Sequence, residues 1–194
     1  MSVPTLFPED LPIRLAGLSY VPSFVTPAEQ QFLIDAIDTH PWGSELRRRV
    51  QHYGHRYDYK SRRLDPSTYL GPLPPFVAYL LPRLEGYAAS GQWPDQLIVN
   101  EYQPGQGISA HVDCEPCFTS HIASVSLGSA CEIEFRHRSS DRVLKLTLAA
   151  GSLLVMADEA RYDWTHQIRP RFRDNGVPRR RRISLTFRKV ILAA

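Results

Sequence analysis

Lysine is almost missing from this chain of 194 residues, and methionine, tryptophan and cysteine are scarce. Each shortage excludes something. The three cysteines, Cys114, Cys117 and Cys131, are too few, and odd in number, for the disulfide framework of a small secreted protein. No run approaches the ~18 apolar residues of a membrane span. The amino terminus, "MSVPTLFPEDLPIRL", has no basic region followed by an apolar stretch, so it does not read as a signal peptide. These absences point to a cytoplasmic protein that does not enter a membrane, and it is read as a monomer. Cys114-x-x-Cys117 resembles a redox pair or half of a zinc site. No second C-x-x-C exists and no helical pattern follows it, so free thiols in a loop are expected.

With lysine nearly gone, the basic residues are arginines, and they cluster. Arg47 to Arg49, Arg62-Arg63, and Arg169, Arg171, Arg173 and Arg179 to Arg182 form three groups within a chain of net charge only +3. Guanidinium forks match phosphate geometry, so the clusters suggest nucleic acid. A solvated basic face is the plainer alternative.

Hydrophobic residues make up 43% of the chain, ample for a core, and the length suits one domain. "TPAEQQFLIDAIDTH" predicts a helix with Thr26 as N-cap, Pro27 at its first position and Glu29 closing a capping box. Phe32, Leu33, Ala36 and Ile37 mark its apolar stripe. "PPFVAYLLPRLEGYAASG" predicts a second helix, broken at Pro82. From residue 96 the period becomes two. "QLIVNEY", "HIASVSL", "CEIEFRHR", "VLKLTL", "SLLVM" and "RISLTFRKV" read as short strands separated by turns, which predicts a sandwich or barrel. The expected architecture is mainly β: a helical region over 1–95, then a double antiparallel sheet over 96–190.

Alternation along a strand puts Arg182, Ser184, Thr186 and Arg188 on one face and Ile183, Leu185 and Phe187 on the other. The polar face is either wet or lines an interior built for an anion. Asn100 and Tyr102 likewise share a face, as do His111 and Asp113 if that segment is extended. One imidazole and one carboxylate at i and i+2 can reach a single ion. His166 is the best candidate for a third ligand among the remaining histidines, His40, His52, His55, His121 and His137. Two histidines and one carboxylate leave open positions on Fe(II), which suits oxygen chemistry. The same spacing also arises by chance.

Three segments in order, "NEYQPGQGISAHVD", "SLLVMADEARYDWTHQI" and "RRISLTFRKV", resemble the AlkB family of Fe(II)- and 2-oxoglutarate-dependent dioxygenases. A weaker likeness, "RRRVQHYGHRYDY", extends into what resembles that family's substrate-gripping lid. The resemblance implies a double-stranded β-helix (jelly roll) with helices packed on one sheet. It implies that His111, Asp113 and His166 hold iron and that Asn100, Tyr102, Arg182, Ser184 and Arg188 bind 2-oxoglutarate. Arg182 would pair with the distal carboxylate and Arg188 would sit near the iron. Ser184 departs from the usual Asn of the family, and "CEPC" after the H-x-D is unlike its best-known members.

Through the resemblance the implied activity uses Fe(II), O2 and 2-oxoglutarate. It releases succinate and CO2, and hydroxylates a carbon on a base nitrogen so that an aldehyde leaves. Alkylated DNA or RNA is the implied partner, DNA with methyl or etheno lesions first. Hydroxylation of a tRNA base, a protein-directed oxygenase and a non-catalytic jelly-roll module are the alternatives. A flipped base needs aromatic and basic contacts. These are expected from Gln51, His52, Tyr53 and Arg161, within a segment that also holds Tyr57 and Tyr59. The loop "RPRFRDNGVPRRRR" is expected to grip phosphates. Tyr162 and Trp164 are expected to pack in the core.

Overall fold

The structure, a computed structural model, describes residues 15–58, 63–88 and 92–192. The stretch read for a leader, Tyr59, Arg62 and the Arg63 side chain lie outside the described residues.

Fourteen strands are described: β1 (Leu18–Val21), β2 (Val50–Tyr53), β3 (His55–Asp58), β4 (Arg63–Tyr69), β5 (Gln96–Tyr102), β6 (Ile108–His111), β7 (Phe118–Gly128), β8 (Cys131–His137), β9 (Val143–Leu148), β10 (Leu153–Met156), β11 (Trp164–Ile168), β12 (Arg173–Asp174), β13 (Val177–Pro178) and β14 (Arg182–Val190). A six-stranded sheet runs β1-β10-β7-β14-β5-β2, and a four-stranded sheet runs β6-β11-β8-β9. Every pairing in both is antiparallel. One core joins them: Tyr102, Ile122, Leu154 and Met156 from the larger sheet meet Ile133, Phe135, Trp164 and Ile168 from the smaller. The fold is the expected jelly roll.

The β14 pattern sets the layers. Ile183, Leu185 and Phe187 are buried with Leu97, Val99, Val125 and Leu127 in a second core. That core is closed by Leu33 and Ile37 of α1 (Pro27–Asp38) and by Val77, Leu80 and Leu84. Each such side chain contributes about 1.5–3 kcal/mol on burial. A one-residue slip would carry all of them to the opposite face, so the register of β14 is tightly specified.

Thr26 caps α1 as predicted, with the reciprocal Glu29 bond completing the box. Leu33 and Ile37 face the sheet, but Phe32 is half exposed, its ring against Tyr79. Pro82 does not break a helix. It sits in the first turn of α2 (Leu81–Glu85), directly after a 3-10 segment, Pro75–Leu80. At that position its missing N–H leaves no bond unmade. The division expected at residue 96 is not the division of the sheets. β1 and β2 precede it and form both edges of the six-stranded sheet, while β3 and β4 make a separate hairpin. Four-residue strands such as β1 and β2 are too short for periodicity to reveal.

Candidate active site

β6 and β11 are neighbours, and their register puts His111 directly opposite His166. The two rings lie 4.3 Å apart, centroid to centroid. Gly107 makes the approach possible, because a Cβ there would stand 2.1 Å from the Ile168 carbonyl oxygen. Asp113 follows β6 in the loop toward β7. Its Oδ1 accepts from Arg188 Nη2 at 2.5 Å, and its Oδ2 lies 3.6 Å from His166 Nε2. One donor atom from each of His111, Asp113 and His166 lies within 4.8 Å of the others. His111 Nδ1 donates to the Ser109 carbonyl at 2.8 Å, which fixes the tautomer and leaves the Nε2 lone pair for a ligand.

The loop carrying Asp113 is held from behind. Arg161, in α3 (Asp158–Tyr162), is buried and donates to the carbonyls of Asp113 at 2.9 Å and Cys114 at 3.2 Å. Cys114 and Cys117 are joined by a disulfide and both are buried. The expected free thiols are therefore corrected: the turn between them brings the two side chains together inside the shared core.

Burial alone would raise the Asp113 carboxyl, but Arg188, His166, His111 and Arg161 outweigh it and hold it well below the usual range. Burial, with His111 beside it, pushes the His166 imidazole down to about 3. Both groups are thus in the ligating form at neutral pH: an anionic oxygen and a neutral nitrogen.

These residues open into a cavity of about 250 Å³ that also takes in Asn100, Tyr102, Ser124, Arg182, Ser184, Thr186 and Arg188. The polar face of β14 therefore lines an interior and is not simply wet. Arg182 is 3% exposed, and its Nη2 donates to Ser126 Oγ at 2.8 Å, while Nε and Nη1 have no partner. Among the described residues no carboxylate pairs with it. A buried guanidinium with idle donors is costly unless an anion meets it. Ser184 bonds Ser124 across the strands at 2.9 Å, so the hydroxyl that replaces the usual Asn keeps a polar partner.

The expected base contacts divide. His52 is paired opposite Ile98, a cavity residue, and so faces the cavity side of the sheet. Gln51 and Tyr53 face the other way. Gln51 donates to the carbonyls of Ile37 and His40 and accepts from the Tyr53 hydroxyl, and Tyr53 packs on Phe76 and His40. Arg161 braces the backbone and does not reach outward. Period two alone separates His52 from its neighbours. The same correction applies to the arginine-rich loop, where β12 and β13 form a hairpin. Arg169 pairs with Glu134, Arg171 with Glu132 and Asp174, Arg179 with Asp174, and Arg181 with Asp38 and Glu101. Those carboxylates already occupy the forks of these four arginines, while Arg173 and Arg180 stay exposed with no ion pair among the described residues. Trp164 is fully buried, as expected.

Sequence reasoning missed Ser124 and Ser126, although their alternation in "IASVSLG" was a usable signal. It also missed Phe118 at the cavity wall, where Arg48 and Tyr57 of the segment read for base contacts stand as well.

Residues 17–188 match the sequence model of the 2OG-Fe(II) oxygenase superfamily. This chain belongs to that superfamily. Its relatives are AlkB-like. It is 38% identical to the ALKBH8 homolog of Arabidopsis thaliana, named as an alkylated DNA repair protein, over 93% of this chain and 60% of the relative. It is 37% identical to the tRNA (carboxymethyluridine(34)-5-O)-methyltransferase alkbh8 of Xenopus tropicalis, over 80% of this chain and 25% of the relative. The chain thus spans less than two thirds of either. The solved structure of OsALKBH1 superposes with a TM-score of 0.69 at 18% identity, covering 96% of this chain and all of that one, a likeness of fold. The superfamily member is an AlkB-like dioxygenase that uses Fe(II), 2-oxoglutarate and O2. Its residues fit those groups: two imidazoles and a carboxylate for the metal, and an unpartnered buried guanidinium for a dicarboxylate.

Proposed function

We propose that this oxygenase oxidatively dealkylates bases of nucleic acid, with methyl or etheno lesions in DNA as its first substrates. The observation that carries the reading is the idle guanidinium of Arg182 in the same cavity as His111, Asp113 and His166. The relative named for alkylated DNA repair, aligned over 93% of this chain, supports DNA. Iron held there, with 2-oxoglutarate and O2, would supply the oxidation that yields succinate and CO2 and places a hydroxyl on the carbon attached to a base nitrogen, which then leaves as an aldehyde.

The chain's own residues bind, orient and exclude. His111, Asp113 and His166 would hold the metal. Arg188 neutralises the Asp113 oxygen that it touches and so orients the other. Arg182 anchors the distal carboxylate of 2-oxoglutarate through charge-assisted bonds worth about 1.5–3 kcal/mol, with Asn100, Tyr102 and Ser184 beside it. Phe118, Ile133 and Leu154 keep the walls apolar. On the substrate side, His52 and Tyr57 are the side chains that would meet a base leaving its stack. The chain acts as one domain, as a monomer in the cytoplasm, where reducing conditions would open the Cys114–Cys117 bond.

Base oxidation on RNA is the second reading, favoured by the relative named as a tRNA (carboxymethyluridine(34)-5-O)-methyltransferase. Purified protein with Fe(II), 2-oxoglutarate and alkylated DNA and RNA oligonucleotides, followed by mass, separates the two. Loss of an alkyl group from DNA supports the first, and added oxygen on RNA supports the second. Turnover of 2-oxoglutarate with every nucleic acid unchanged defeats both.

A further inference from the structure

Three adjacent arginines precede β2, and the strand sends consecutive ones to opposite faces. Val50 pairs with Asn100 across β2 and β5, so continuing the register sets Arg49 opposite Glu101 and Arg48 opposite Tyr102. Arg49 accordingly points outward, pairing with Glu101 and covering the Trp42 ring. Arg48 points inward to the cavity wall. Its Nε donates to Asn100 Oδ1 at 2.9 Å, and its guanidinium carbon stands 5.7 Å from the centre of the Tyr102 ring. The guanidinium of Arg182 stands 5.3 Å from that same centre. Tyr102 therefore contacts two cations, and the oxygen of Asn100 is already taken.

The consequence lies in donor counting. An amide has one acceptor end and one donor end. Arginine can only donate, so it selects the oxygen end of Asn100 and leaves the NH2 as the polar group the residue can offer. 2-Oxoglutarate presents only acceptors. Were Asn100 turned over, its oxygen would face carboxylate oxygens and repel them. We infer that Arg48 is a positioning residue for the co-substrate: it fixes the Asn100 amide donor-outward. This rests on the assignment of Asn100 and Arg182 to 2-oxoglutarate. It removes Arg48 from the phosphate-gripping cluster to which its neighbours suggest it belongs.

The test is a double-mutant cycle read by binding. 2-Oxoglutarate is titrated calorimetrically into Mn(II)-loaded protein without dioxygen, for wild type, Arg48→Met, Asn100→Ala, the double variant and Arg182→Ala. Arg48→Met is expected to weaken binding about tenfold, the worth of one charge-assisted bond. The double variant is expected to bind no worse than Asn100→Ala, because Arg48 acts through Asn100. In turnover, KM for 2-oxoglutarate rises while kcat and the KM for the oligonucleotide stay within twofold. Unchanged affinity in Arg48→Met while Asn100→Ala and Arg182→Ala bind weakly overturns the inference, as does additivity in the cycle or a rise confined to the oligonucleotide KM. Unchanged affinity in all the single variants defeats instead the assignment on which it rests. If Arg48→Met fails to fold, Arg48→Lys, which keeps the charge and one flexible donor, runs the same cycle and gives a smaller rise with the same non-additivity.

Discussion

Asp113 shows how much of a metal site lies behind its ligands. One of its oxygens is held by Arg188, and its backbone carbonyl by Arg161. Arg161 touches no ligand atom directly, yet it fixes the loop from which the carboxylate projects. Supporting groups of this kind typically control metal affinity by 10–100-fold. Arg161→Met is therefore expected to weaken Mn(II) binding by that order, while His166→Ala abolishes it, both read by metal titration of the apo protein. Binding unaltered in Arg161→Met would reduce that residue to a packing role. Ser184→Ala makes a smaller change. It leaves Ser124 without its cross-strand partner and should cost about 1 kcal/mol in urea unfolding.

At the scale of elements, the two histidines owe their meeting to strand pairing and not to sequence nearness. His111 and His166 face each other because β6 and β11 lie edge to edge, and a single glycine permits the contact. Gly107→Ala would drive a methyl into the Ile168 carbonyl. It is expected to lower the melting temperature and weaken metal binding together, whereas a melting loss with intact metal affinity would mean the register survives. Removing the α1 cap by Thr26→Ala should cost about 1 kcal/mol without altering metal or co-substrate affinity, since α1 packs on the outer face of the sheet, away from the cavity.

For the whole molecule, the arginines form a lattice of ion pairs around buried carboxylates. Burial would raise the Glu134 carboxyl, but hydrogen bonds from Arg169, Gln167 and Arg136 outweigh it and lower it to about 2. Glu101 and Asp174 are lowered by the same contest. A carboxyl depressed on folding stabilises the native state above its unfolded value of about 4.3 and loses that contribution as pH falls through the folded value. Urea midpoints are thus expected to fall below about pH 4, toward pH 2, on account of these groups. The lattice also predicts which arginines matter to a polyanion. Arg180 is exposed and has no ion pair among the described residues, so Arg180→Ala should flatten the salt dependence of nucleic-acid binding by about one charge. Arg179→Ala should instead lower stability, because Arg179 is buried against Asp174.

Some of this was legible in the chain alone. The capping box of α1, the long strands β5, β9 and β14 and the polar face of β14 follow from local chemistry and from the pleat, which any reader of the sequence can count. The H-x-D and the distant His166 were legible as types and spacings, and the resemblance named their chemistry. What only the tertiary structure decided was every relation across distance. It put His52 toward the cavity and Tyr53 away from it, took Arg48 inward and Arg49 outward, closed Cys114 on Cys117, and matched the loop arginines with their own carboxylates. A sequence displays charge and period, but a side chain's partner is chosen by strand register and burial, which exist only once the sheets have formed.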